Sequence, residues 1–325
     1  MTAGWSAAGL GSDAPRVEIS HVAALVDDIE ATIPLLGALL GWHHWSVYEL
    51  APPRLSDRMF RGRAAKYSML GAETHVGGVD FALNQRLTGP SIYDEYLLRR
   101  GVGLHHIACM ANSQAGVSGP QTLFETAGVD VAMAGRIDGT IAFRYYDTEP
   151  LLAVSVETGT GHAISLTPDR VFDTAEEHRR SPTPIDAVTV VVEDLEASMR
   201  SYSELLGWDG WTASNIAQLP ISDVRRRGKV LHLSGRMAYA RVGAVTVELV
   251  EPGRDFSVER TTLDAVGPGL NHVTCTLSTT EMARIRGVLR DNGAAIVMSG
   301  RLKGHEFWYL STTPRLKLSF DPRLP

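Results

Sequence analysis

Residues 21–45, HVAALVDDIEATIPLLGALLGWHHW, lie over residues 187–211, AVTVVVEDLEASMRSYSELLGWDGW, at a constant offset of 166. Ten of the 25 positions are identical, against roughly one or two expected from average residue usage. The same offset pairs Ser56-Asp57 with Ser222-Asp223, Gly62 with Gly228, and GLHHIAC at 103–109 with GLNHVTC at 269–275. An offset held without a gap from position 21 to position 275 marks an internal duplication.

Each half is double again. HVAALVDD at 21–28 resembles HIACMANS at 106–113, a short alternating run leading into a helical one. Val17 to Val26 alternates as a strand does, and Asp28 to Leu40 has helical apolar spacing, an acidic first turn and Gly41 as its stop. WSVYEL, KYSMLG and VDFALNQ then follow as short strands between Gly, Pro and charged residues. The predicted unit is strand, helix and three strands, with four copies near 17–88, 103–160, 183–253 and 269–322. The expected layout is a disordered tail at 1–16, an N-terminal domain at 17–166, a linker at 167–182 and a C-terminal domain at 183–325. The linker reading rests on TPDRVFDTAEEHRRSPTP at 167–184, which is polar and punctuated by proline.

Composition narrows the function classes. The chain has 325 residues, 44% hydrophobic and 21% charged, with 31 Lys and Arg against 37 Asp and Glu. A net charge of −6 offers no global field for nucleic acid or anionic membrane. No apolar run reaches the roughly 18 to 20 residues of a membrane span. The opening MTAGWSAAGLGSDAPR lacks the basic start and long apolar stretch of a signal peptide, and two cysteines make no disulfide framework. The expectation is a cytoplasmic protein with a small-molecule partner, monomeric or homodimeric.

A βαβββ module duplicated in this way resembles the vicinal oxygen chelate superfamily, which includes glyoxalase I, methylmalonyl-CoA epimerase, extradiol dioxygenases and bleomycin-resistance proteins. The matching pieces are ISHVAALVDDIEA, LLGW, GVGLHHIAC and FRYYDTEPLLAVSVE in the first half, and VTVVVEDLEA, LLGW, VTVELVEP and GPGLNHVTC in the second. The resemblance implies an α+β fold of four βαβββ modules paired into two glyoxalase-like domains. It also implies a divalent metal held in each cup by side chains from the first and last strands of each module.

Carried onto this sequence, the resemblance offers His21, His106 and Glu157 as metal ligands in the first half, with Ala82 where a fourth ligand, a glutamate, would stand. Asn84 or Gln85 nearby, or water, is left to fill that place. Two imidazoles and one carboxylate suit Fe(II), Mn(II), Co(II), Ni(II) or Zn(II) with positions left for substrate oxygens. The second half offers Glu248, His272 and Asp321, but Ala187 replaces its first-strand histidine, so the first half is the expected site. Modules paired across the halves would mix the two sets.

Several other residues have a chemical reading. Tyr145, on the strand leading to Glu157, is a candidate proton donor, and Glu49 a candidate general base. His105, one residue from His106, belongs on the opposite face by strand alternation and is expected to pack against a helix or at an edge. RMFRGR at 58–63 and RRRG at 225–228 are equivalent basic turns, each a solvated turn or an anion clamp.

The expected activity is isomerisation, epimerisation or lysis of a carbonyl compound through an enolate-type intermediate. The alternatives are extradiol-type ring cleavage on Fe(II) and non-catalytic binding of a small molecule.

Overall fold

The computed structural model describes residues 17–111, 114–161, 166–174, 181–292, 294–311 and 319–323; the expected tail at 1–16 lies outside them. The fold is α+β, and each half is one large sheet with helices packed against it.

Local signals explain the first helix of each half. Asp28 caps Ile29–Leu40 by accepting a hydrogen bond from the Ala31 N–H, and Gly41 ends it in the left-handed region at φ 74°. Asp194 and Gly207 do the same for Leu195–Leu206. A short acceptor side chain satisfies an orphan N–H at the start, and glycine reverses the chain at the end.

The first sheet shows how two modules join. His44–Leu50, Ser68–His75, Asp80–Thr88 and His21–Leu25 lie side by side in that order. Gly103–Ala111, Ser155–Thr160, Ile141–Tyr146 and Val131–Ile137 continue the sheet as a second set in mirrored order. The two first strands, His21–Leu25 and Gly103–Ala111, meet antiparallel at the centre. The second half repeats this with Ala187–Val191 against Gly269–Thr276. The modules therefore pair within each half, not across halves.

Two strands lie where the sequence did not place them. Leu55–Phe60 leaves the first module and pairs with Val131–Ile137, at the far edge of the second. Arg170–Asp173, inside the stretch expected as linker, pairs antiparallel with His44–Leu50. Val171 and Phe172 are residue types that favour strands, and the edge of the sheet supplies the unpaired backbone groups that it needs.

The helices of the two halves pack between the sheets. Val22, Ala24, Ile33, Leu36, Val188, Val190 and Leu206 belong to one continuous buried core. Trp42 Nε1 donates to Thr183 O at 2.8 Å, and Trp208 Nε1 to Val17 O at 2.7 Å. The repeated tryptophans therefore tie each helix–strand corner to chain from beyond its own module. Cys109 and Cys275 are buried in the same core.

The inner faces are lined separately. Leu25, Tyr48, Met69, Tyr93, Phe143 and Tyr145 form an apolar cluster in the first half, and Val224, Met298, Phe307 and Tyr309 form one in the second. No helix among the described residues is long and apolar enough to cross a membrane.

Candidate metal centre

Alternation along three adjacent strands, His21–Leu25, Gly103–Ala111 and Ser155–Thr160, places the candidate ligands on one face. His21 is the cross-strand partner of Ala108, and Ala108 in turn is the partner of Glu157. His106 stands two residues before Ala108 on the same strand. Ala108 therefore sits between the three, and its single methyl leaves the room in which longer side chains converge. His21 Nε2 lies 3.3 Å and His106 Nε2 3.2 Å from the same oxygen, Glu157 Oε2.

All three side chains are buried, His106 completely and His21 to 9% exposure. Their ligating atoms lie within 4.8 Å of one another. Among the described residues, the other such group, Asp194, Glu196 and Glu251, is at the surface.

The charges within the cluster follow from burial and pairing. Burial lowers the pKa of His21, but the hydrogen bond and charge of Glu157, with the charges of Glu73 and Asp80, outweigh it and raise it above 6.5. For His106 burial wins, with the charge of His21 adding to it, and the pKa is lowered. Burial raises the Glu157 carboxyl, yet hydrogen bonds from His106 and His21 bring it down to about 2. Pairing with Glu157 thus favours the charged form of His21, and burial favours the neutral form of His106.

A stability prediction follows. The contribution of Glu157 is complete above its ordinary 4.5 and is lost as pH falls toward about 2. The contribution of His21 is present below 6.5 and is lost as pH rises through its raised value. Melting of metal-free protein across pH is expected to decline on both sides, with His21→Asn flattening the alkaline decline. An unchanged alkaline limb in that variant would count against the ion pair.

His105 departs from simple alternation. The register slips between Ala23 and Ala24, which pair with His106 and Leu104, so His105 is the extra residue of a β-bulge. It packs edge-on against Tyr93 and Tyr96 of the helix Ile92–Arg100, as expected of a helix-facing residue. The bulge nonetheless brings its Nδ1 to 2.8 Å from His106 Nδ1. That bond fixes the His106 ring with Nε2 toward Glu157.

The second half has the same bulge, where Asn271 Oδ1 meets His272 Nδ1 at 2.9 Å. Partners of this kind are worth about 10–100-fold in metal affinity. His105→Leu should therefore weaken Mn(II) binding by about that factor, while His105→Asn keeps most of it. Equal binding by both variants and the parent would remove the orienting role.

Tyr145 lies in the site. It is the cross-strand partner of Glu157, and its hydroxyl is 3.5 Å from His106 Nε2 and 3.0 Å from the Tyr93 hydroxyl. Burial and the charge of Glu157 raise its pKa well above 10.0, so it stays a proton donor. Glu49 does not lie in the site. It is exposed on His44–Leu50, while its neighbours Tyr48 and Leu50 line the cavity. Alternation sends its side chain to the other face, so it cannot serve as the base.

The cavity beside the cluster has a volume of about 60 Å³. Leu50, Met69, Ile141 and Phe143 supply apolar wall, and His21, Glu157, Tyr145 and Glu73 the polar part. Ala82 also lines it, as does Asn84, whereas Gln85 caps the first helix by accepting from the Ile29 N–H at 3.0 Å. The sequence reading missed Tyr93 and Glu73. Tyr93 is signalled only by the amphipathic spacing of SIYDEYLL, and Glu73 by nothing local.

The second cup is built differently. Ala187 stands at the place of His21, and the Thr189 hydroxyl donates to Glu248 Oε2 at 2.9 Å. Glu248 and His272 are buried and line a cavity of about 100 Å³. Asp321 is the backbone partner of Thr274, the register of Glu157 against Ala108, but its side chain lies outside the described residues.

The basic turns are engaged within the protein. Arg61 Nη1 bonds Asp147 at 2.7 Å, Arg58 donates to Tyr67 O at 2.7 Å, and Arg226 donates to Ser257 O at 2.7 Å.

The model of the Glyoxalase/Bleomycin resistance protein/Dioxygenase superfamily matches residues 186–309. A search of curated protein sequences finds no match. Among solved structures, a triply substituted 4-hydroxymandelate synthase from Streptomyces coelicolor superposes with a TM-score of 0.60 at 16% identity, covering 95% of this chain and 93% of that one. A Mn(II)-bound glyoxalase from Novosphingobium aromaticivorans superposes at 0.50 and 16% identity, covering 95% and 84%. At such identity these likenesses establish the shared fold.

Proposed function

We propose that this chain, a tandem member of the vicinal oxygen chelate superfamily, is a divalent-metal-dependent isomerase, epimerase or lyase acting on a small carbonyl compound. The observation that carries the reading is the convergence of His21, His106 and Glu157, with His21, Glu157 and Tyr145 lining a cavity.

The donor set fits the group. Two imidazole nitrogens and a carboxylate oxygen suit Fe(II), Mn(II), Co(II), Ni(II) or Zn(II), and burial keeps competing water away. Bound there, such an ion supplies Lewis acidity that stabilises negative charge on a substrate oxygen. His21 must release its proton to ligate, so affinity rises with pH. The Tyr145 hydroxyl is held protonated and can donate to an oxygen gaining charge in an enolate-type intermediate. Leu50, Met69, Ile141 and Phe143 exclude water, which strengthens each of these interactions.

The second cup reads as a partner surface or second binding cavity without a metal. Ala187 removes one imidazole, and Thr189 engages the carboxylate of Glu248.

Two histidines and a glutamate are also the ligand set of non-haem Fe(II) oxygenases, so the test must separate the chemistries. Protein loaded with Mn(II), Co(II) or Fe(II) is incubated in deuterated water with acyl thioesters and 2-oxo acids, and with catechols under an oxygen electrode. Deuterium entering beside a carbonyl, without oxygen uptake, supports the proposal. Oxygen uptake with a catechol overturns it in favour of ring cleavage. Failure of every metal to bind removes both enzymatic readings and leaves a small-molecule binder.

A further inference from the structure

The place of the missing fourth ligand has a specific neighbour. Ala82 is the cross-strand partner of Glu73 on Ser68–His75. Directly opposed residues of an antiparallel pair share a face, and both line the cavity that holds His21 and Glu157. The charge of Glu73 also acts on His21.

The other half shows the same two positions filled in reverse. Tyr239 is the cross-strand partner of Glu248 there, and Tyr239 and Glu248 lie 166 residues beyond Glu73 and Ala82. Each half thus has one carboxylate in this pair, on the inner strand in the second half and on the next strand outward in the first. His106, Ala23, Ala82 and Glu73 form one row across the sheet. Of this row, Ala82 and Glu73 line the cavity.

We propose that Glu73 takes over from the absent glutamate at position 82, as a positioning residue that holds the cation through one bound water. The step between strands supports the intervening water. Neighbouring strands lie about 4.8 Å apart, so a carboxylate one strand further out stands back from the place of a direct ligand, and a water adds about 2.7 Å of hydrogen bond toward spanning that step. Glu73 is not one of the three residues whose ligating atoms lie within 4.8 Å of one another, which agrees with contact through water. The assignment rests on the metal reading of His21, His106 and Glu157.

The test uses the full chain and Mn(II) alone, with affinity read by equilibrium dialysis and the Co(II) form by its visible spectrum. Glu73→Gln is isosteric at a half-buried position, so folding is preserved; circular dichroism checks this. Its Mn(II) affinity should fall about tenfold, with a changed Co(II) spectrum. Adding Ala82→Glu to that variant should restore affinity by returning a carboxylate to the inner strand. Glu73→Gln binding within twofold of the parent overturns the proposal, as does a loss that Ala82→Glu does not restore. If the parent itself binds no Mn(II) or Co(II), the reading of the three ligands falls first and this assignment with it. A parent that binds while Glu73→Gln matches it sinks only the role of Glu73.

Discussion

Replacing His106 by alanine should lower divalent-metal affinity by more than about 100-fold, while His272→Ala leaves it near the parent value. The asymmetry comes from what each imidazole faces. His106 Nε2 shares Glu157 Oε2 with His21, so its loss breaks a three-donor set. His272 stands in a cup where Ala187 removes the first-strand imidazole and Thr189 engages Glu248. Metal content after dialysis against Mn(II), read by mass spectrometry, decides between them. Metal lost on His272→Ala and kept on His106→Ala would move the site to the second half. His106→Ala also leaves Glu157 with one histidine partner fewer, so circular dichroism must accompany the measurement. Glu157→Gln, nearly isosteric, serves as the second variant and should lose metal to a similar extent.

The second large effect is on stability. Trp42→Ala should cost about 3–5 kcal/mol, the range for removing a large buried aromatic. Trp42 is fully buried and tilted against Phe81 with ring centroids 4.9 Å apart. Its indole N–H is bonded to Thr183 O, so truncation leaves a carbonyl short of a partner as well as a cavity. Urea unfolding followed by circular dichroism measures the loss, and Trp42→Phe should lie between the parent and Trp42→Ala. A cost for Trp42→Ala below about 1 kcal/mol would mean that the corner repacks.

His21, His106 and Glu157 could be named as candidates because the repeat fixes where the first and last strands of each module fall, and the family resemblance implies which places on them carry ligands. Glu49 was misread because the parity of a single strand is ambiguous until one face is known to be buried. Once Tyr48 and Leu50 face the cavity, Glu49 must face outward. The backbone pairing of Asp321 with Thr274 gives it the register that Glu157 has against Ala108. Leu55–Phe60 could not be placed because its partner, Val131–Ile137, is supplied by another module.

The duplication and the βαβββ unit were legible in the sequence alone, because periodicity, caps and repeat offset are local or self-comparing. The resemblance they carry then pointed to His21, His106 and Glu157 as candidate ligands and to the gap at Ala82. Only the tertiary structure decided that modules pair within each half, that Ala108 gives the trio room to converge, and that His105 bulges to reach His106. It also decided that Glu73, nine residues from the gap in the chain, stands directly across from it. Lateral neighbours in a sheet are set by strand pairing and by the cup's curvature, and neither is encoded in the spacing along the chain.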